Sequence, residues 1–122
     1  MVYITLDLAK KLKKAGFDEK VSSCINEDGM VVNFNYPKRI EYEKNYPYIT
    51  IEEACQYMRD KHCVHIAVDF IKGKWVSTIT DMNKDIKLPF ITKDASYNEV
   101  YFKALNHLCL YFIICHKSDT LI

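Results

Sequence analysis

Residues 64–80 read VHIAVDFIKGKWVSTIT, and the reading of this stretch decides the fold. With Lys72-Gly73 as a two-residue turn, the glycine supplies the positive φ that such a turn needs. The register follows: Ile71 faces Lys74, Phe70 faces Trp75, Val68 faces Ser77 and Ile66 faces Ile79. Opposed residues in an antiparallel pair share a face, so Val64, Ile66, Val68, Phe70, Trp75 and Ile79 point one way. His65, Ala67, Asp69, Val76, Thr78 and Thr80 point the other way. One dry and one damp face suit an antiparallel sheet covered by helices on a single side. A short further strand is expected near Ile86–Ile91, confined to an edge by Pro89.

Helix signals flank the hairpin. Thr50 and Glu53 make a capping box ahead of Ile51, Ala54, Cys55, Met58 and His62, which recur at helical spacing. Ser96 and Glu99 make a second box, starting a helix expected to run to about Cys115 with Tyr97, Val100, Tyr101, Ala104, Leu108, Tyr111 and Cys115 as its core stripe. A second stripe, Phe102, Asn106, Cys109 and Ile113, lies on another face. A surface helix needs one apolar stripe, so two imply a helix sandwiched between neighbours or one that meets a partner.

Near the N-terminus, Thr5 caps a helix over residues 5–15 with Leu8, Leu12 and Ala15 inward and four lysines on the wet side. Gly16 stops it, and Phe17 folds back over its end. Met30–Tyr36 alternates as a strand that Pro37 ends, whereas 18–29 reads as irregular and 37–48 has no clean period. The expectation is an α+β protein: an antiparallel sheet of three or four strands with helices packed on one face, in the order α-β-α-β-β-α.

At 122 residues one domain spanning 1–122 is expected. The formal net charge of +1 lacks the basic excess of a protein that rides on duplex nucleic acid. Five cysteines, at 24, 55, 63, 109 and 115, form no CxxC pair and follow no secretory signal, which points to reduced thiols in a cytoplasmic protein. The longest apolar run, Leu108–Cys115, is far short of the roughly 20 residues a membrane-spanning helix requires, so no membrane role is expected.

The segments LAKKLKKAGFDEKV, YITIEEACQYMRDKHCVHIAV and SYNEVYFKALNHLCLYFI occur in an order that resembles a group of small uncharacterised α+β proteins. These are encoded in gut Bacteroidales genomes, mobile elements and prophages. The matching positions are Gly16 and Phe17, Thr50, Trp75, and Ser96 with Tyr97. The resemblance covers most of the chain except 24–45. It implies an accessory protein with a phage or mobile-element association, and no catalytic residue.

Phosphate cradles need clustered glycines, and the three here, 16, 29 and 73, lie far apart. Cys55, His62, Cys63 and His65 carry zinc-binding chemistry, but the first two belong to a core-facing helix surface and the last two to the damp strand face. No metal and no other cofactor is expected. Neither Cys115/His116 nor Cys109/His107 can share a proton readily, because sequence neighbours on a helix diverge, so no catalytic residue is assigned. The leading expectation is a non-enzymatic accessory protein acting by protein–protein interaction or self-association, with a homodimer through Phe102, Asn106, Cys109 and Ile113. The alternative is weak single-stranded nucleic-acid binding by Tyr36, Arg39, Tyr42 and Lys44, where rings interleave with cations. Against it, Glu41 and Glu43 would repel the phosphates, and half-buried tyrosines holding this loop to the sheet are favoured. An enzyme with a site not visible as a motif is the third reading.

Overall fold

The computed structural model describes residues 2–94 and 96–120, leaving aside the side chains of 89–92 and 116–120. The elements are α1 (Leu6–Lys14), β1 (Val21–Asn26), β2 (Val31–Lys38), β3 (Asn45–Pro47), α2 (Ile51–His62), β4 (Val64–Ile71), β5 (Lys74–Asp81), β6 (Ile86–Asp94) and α3 (Tyr97–Thr120). The protein is α+β with antiparallel strands. These fall into two sheets of three, ordered β2-β1-β3 and β4-β5-β6, where the sequence suggested a single sheet. The chain divides into two compact units. One comprises Tyr3–Thr50 with α3 from Leu108 onward, and the other Ile51–His107.

In the unit built on residues 51–107, the hairpin register is the one the alternation dictates: Ile66 pairs with Ile79, Val68 with Ser77, Phe70 with Trp75 and Ile71 with Lys74. Lys72 (φ 51°) and Gly73 (φ 81°) are both left-handed, the requirement of a type I′ turn, whose twist matches the flanking strands. Val64, Ile66, Ser77 and Ile79 are buried on one face. That face dries out toward one end only, since Phe70 is 61% exposed at the tip. β6 is an edge strand. Its register against β5 shifts between Thr78 and Thr80, and Pro89 lies in the shifted stretch, where a missing N–H breaks no regular ladder. α2 packs against β4, burying Ile51, Ala54, Cys55, Tyr57 and Met58. Cys63 at φ 54° makes the sharp turn from helix to strand. α3 opens with the Ser96 Oγ accepting the Glu99 N–H at 3.4 Å, and continues past the expected end at Cys115 to Thr120.

In the other unit, the Thr5 Oγ1 accepts the Leu8 N–H at 3.2 Å and α1 ends in a Schellman motif. There the Phe17 N–H donates to the Leu12 carbonyl and the Gly16 N–H to the Lys13 carbonyl, with Gly16 at φ 108°. Leu8, Ala9 and Leu12 are buried. The two stretches read as irregular supply strands: Val21–Asn26 becomes the central strand β1 and Asn45–Pro47 the short edge β3. Pro37 lies inside β2 instead of ending it. It falls in the part of β2 where the register with β1 has shifted, between the pairs Ser23–Asn33 and Val21–Lys38.

Candidate interaction surface

The sheet β2-β1-β3 has β2 and β3 as its edge strands, and its hydrogen bonding decides which groups point outward. The Asn26 N–H donates to the Met30 carbonyl at 3.0 Å, making 26–30 a hydrogen-bonded pair. Such pairs alternate along an antiparallel ladder, so Val32 turns its amide and carbonyl toward Cys24 of β1, whereas Val31 and Asn33 turn theirs to the free edge. On the other side, the Tyr48 N–H donates to the Ser23 carbonyl at 3.1 Å, which aims the backbone of Asn45 and Pro47 away from β1.

The β3 edge is closed chemically. Pro47 has no N–H to offer, and the Asn45 carbonyl accepts from Lys13 Nζ at 2.8 Å. The same ammonium donates to the carbonyls of Tyr42 at 3.0 Å and Glu43 at 2.8 Å, and lies 5.2 Å from the centre of the Tyr46 ring. Lys13, expected on the wet face of α1, thus clamps the loop that leads into β3.

Among the described residues, nothing closes the β2 edge in this way up to Pro37. Every residue of β2 except the half-buried Phe34 is exposed. Met30 and Val32 share one pleat face, 63% and 49% exposed, and Phe34 and Tyr36, the latter 72% exposed, follow in the stretch where the register has shifted. The Lys38 ammonium sits 4.6 Å from the centre of the Phe34 ring. Val32, Phe34, Lys38, Ile40 and Tyr42 are among the residues lining a groove of about 320 Å³ beside the strand.

Of the residues expected to contact nucleic acid, Tyr36, Arg39, Tyr42 and Lys44 are all exposed. Tyr36 and Tyr42, at 72% and 70%, are not the half-buried anchors the sequence favoured. That role falls to Tyr46 and Tyr48, the latter stacked on Tyr3 at 4.4 Å. Arg39 Nε donates to the Asp18 carbonyl at 3.0 Å.

The α3 stripe expected to meet a partner lies elsewhere. Cys109 is fully buried and Ile113 is 9% exposed, so both belong to the interior of the chain. Phe102 and Asn106 are half-buried. The apolar side chains that α3 does present are Leu110, Tyr111 and Ile114, exposed by 44%, 40% and 62%. Sequence periodicity missed this because residues 108–115 are apolar on nearly every side of the helix.

In the unit of residues 51–107, a cleft of about 150 Å³ is lined by Glu52, Cys55, Arg59, Ile66, Tyr97 and Tyr101, among others. Burial pushes the Cys55 thiol up to about 11, against a smaller opposing pull from Arg59. Burial, and then the hydrogen bond between its hydroxyl and that of Tyr97 at 3.2 Å, raises Tyr101 as well. The cleft therefore holds protonated thiol and phenol groups at neutral pH, not an activated nucleophile. Cys109 is pushed up to about 12, again by burial. His107 is exposed, and the His116 side chain lies outside the described residues.

Among the described residues no three His, Cys, Asp or Glu side chains converge as metal ligands would. Of the zinc-type group, Cys55 is buried, His62 and Cys63 are half-buried and His65 is exposed. No helix among the described residues is long and apolar enough to cross a membrane. No family model matches the chain, and neither do any curated protein or solved structure.

Proposed function

We propose that the protein is a non-enzymatic binding protein that captures an extended protein segment along the free edge of β2. The observation that carries this reading is an edge strand exposed on both faces, with the backbone groups of Val31 and Asn33 directed outward. Strand addition uses such an edge for main-chain hydrogen bonds, while neighbouring side chains give selectivity, here Met30 and Val32 and, past the register shift, Phe34 and Tyr36. Unlike the expected contact on α3, this surface needs no rearrangement to be reached.

An array of extended peptides tests the reading. Bound peptides are expected to alternate apolar and polar residues, to slow amide exchange at Val31 and Asn33, and to lose affinity for Asn33→Pro. That substitution deletes an outward N–H and leaves the backbone ladder to β1 its donors, and Asn33→Ala controls for the loss of the hydrogen bond that Ser23 Oγ donates to Asn33 Oδ1 at 2.6 Å. Peptides that bind Asn33→Pro equally well, or that protect another surface, would refute it.

A second reading, single-stranded nucleic-acid binding, draws support from the exposure of Tyr36 and Tyr42 beside Lys38, Arg39 and Lys44. Base stacking on such rings contributes about 1–3 kcal/mol per base. Binding to an oligonucleotide at low salt that weakens in Tyr36→Ala and Tyr42→Ala would favour it, and absence of binding at low salt removes it.

A further inference from the structure

We infer that the cleft between α2, β4 and the start of α3 is a binding site for a free α-amino acid with a small aliphatic side chain. The site lies within the unit of residues 51–107 and does not depend on the strand-addition reading.

Spacing on α2 gathers one wall of the cleft. Glu52, Cys55 and Arg59 fall at i, i+3 and i+7, a single stripe of the helix, and all three line the cavity. Among the described residues, the Glu52 carboxylate takes part in no hydrogen bond and no ion pair. Arg59 carries five N–H donors, of which one goes to the Gln56 Oε1 at 2.8 Å. Burial dominates at the Cys55 thiol, and Arg59 and Glu52 then act on it in opposite senses, so both charges stand close to the cleft floor. Seven residues of helix nevertheless set the two apart by about 10 Å along the axis.

That pair of charges selects the ligand. A simple anion meets repulsion from Glu52, and a simple cation meets it from Arg59. A zwitterion satisfies both. An α-amino acid with its ammonium on Glu52 and its carboxylate on Arg59 spans about 8–9 Å from one protein group to the other, close to their separation on the helix.

The start of α3 supplies the facing wall. The hydroxyls of Tyr97 and Tyr101 share one hydrogen bond at 3.2 Å, which uses one of their two protons and leaves the other to reach a carboxylate. Burial first, and that bond second, hold Tyr101 in the protonated form a donor needs. Beneath them Ile51, Cys55 and Ile66 are buried and make a dry seat for an aliphatic side chain. At about 150 Å³ the cavity matches one that holds a benzene-sized molecule, which suits an amino acid up to about the size of valine.

So small a ligand in a cleft partly open to water should bind with a Kd of about 0.1–1 mM. The test is a residue-resolved NMR titration of the full chain with L-valine to about 20 mM. Saturable shifts are expected at Cys55, Ile66 and Tyr101. Isovalerate, which lacks the ammonium, and isobutylamine, which lacks the carboxylate, should each bind at least about tenfold more weakly. Glu52→Gln should weaken valine about tenfold and leave isovalerate unchanged, and Arg59→Gln should weaken valine about tenfold and leave isobutylamine unchanged. Glu52 is exposed and Arg59 half-buried, and glutamine is a good helix former, so circular dichroism of both variants should match the parent.

Valine without saturable shifts, or with shifts clustered at other residues, overturns the inference. Isovalerate or isobutylamine binding as tightly as valine overturns it too, as does valine binding indifferent to both substitutions. None of these outcomes bears on the β2 edge, which the peptide array tests separately.

Discussion

Phe70 and Trp75 face each other across β4 and β5 with ring centroids 5.0 Å apart and planes inclined by 56°. Trp75 in turn meets the edge of Tyr97 at 5.0 Å, and Tyr97 that of Tyr101 at 5.0 Å. The row links the hairpin tip to the first turns of α3, and it orders a sheet end that burial alone leaves open. Trp75→Ala should therefore cost about 2–3 kcal/mol and Phe70→Ala, whose ring is 61% exposed, about 1 kcal/mol. A double-mutant cycle by urea unfolding should give a coupling of about 0.5–1.5 kcal/mol. Additive losses would mean the rings touch without cooperating.

Lys72 at φ 51° occupies a turn position that asparagine fills with less strain. Lys72→Asn should raise stability by about 0.5 kcal/mol, read as a higher denaturation midpoint at unchanged slope. Gly73→Ala, at φ 81°, should lower it by about 1–2 kcal/mol.

Lys13 and Lys14 are adjacent lysines with different employment. The Lys13 ammonium donates to three carbonyls of the loop before β3. Lys14 is exposed. Allowing for solvent screening, Lys13→Ala should cost about 1–2 kcal/mol, whereas Lys14→Ala should change stability by less than about 0.5 kcal/mol. Thermal unfolding of the two variants side by side checks this.

Burial, and secondarily the charge of Lys61, lowers the pKa of His62 below its ordinary 6.5. The unfolded chain then binds a proton that the folded chain resists. The contribution of neutral His62 is present above about pH 6.5 and is lost as pH falls through the lowered folded value. Unfolding free energies measured from pH 7.5 down to about 5 should decline more steeply for the parent chain than for His62→Gln.

Legibility in the sequence followed the strength of local periodicity. Residues 64–80 combine strict alternation with a glycine turn, so register and faces could be read pair by pair. Thr5, Gly16 and Ser96 announced helix ends because caps act through one or two side chains. β1 escaped because VSSCIN buries the adjacent Cys24 and Ile25 on its two opposite faces, so no clean alternation of apolar and polar residues shows. β3, at three residues, is too short to show a period. α3 failed differently: its apolar residues surround the helix, so spacing alone could not tell the buried Leu105, Cys109 and Ile113 from the exposed Tyr111 and Ile114. The aromatic stretch 34–48 was visible as chemistry. Which of its rings would be exposed depended on the Lys13 clamp and on the β2 edge, and both are long-range features.

The central claim is that β2 offers an open, outward-facing backbone edge to a strand. Residue-resolved amide exchange on the dilute chain tests it most directly. The amide of Val32 should be protected while those of Val31 and Asn33 exchange freely, with the latter two becoming protected when a captured peptide is added. Strong protection of Val31 and Asn33 at dilution, or exchange at Val32 as fast as at its neighbours, would contradict it.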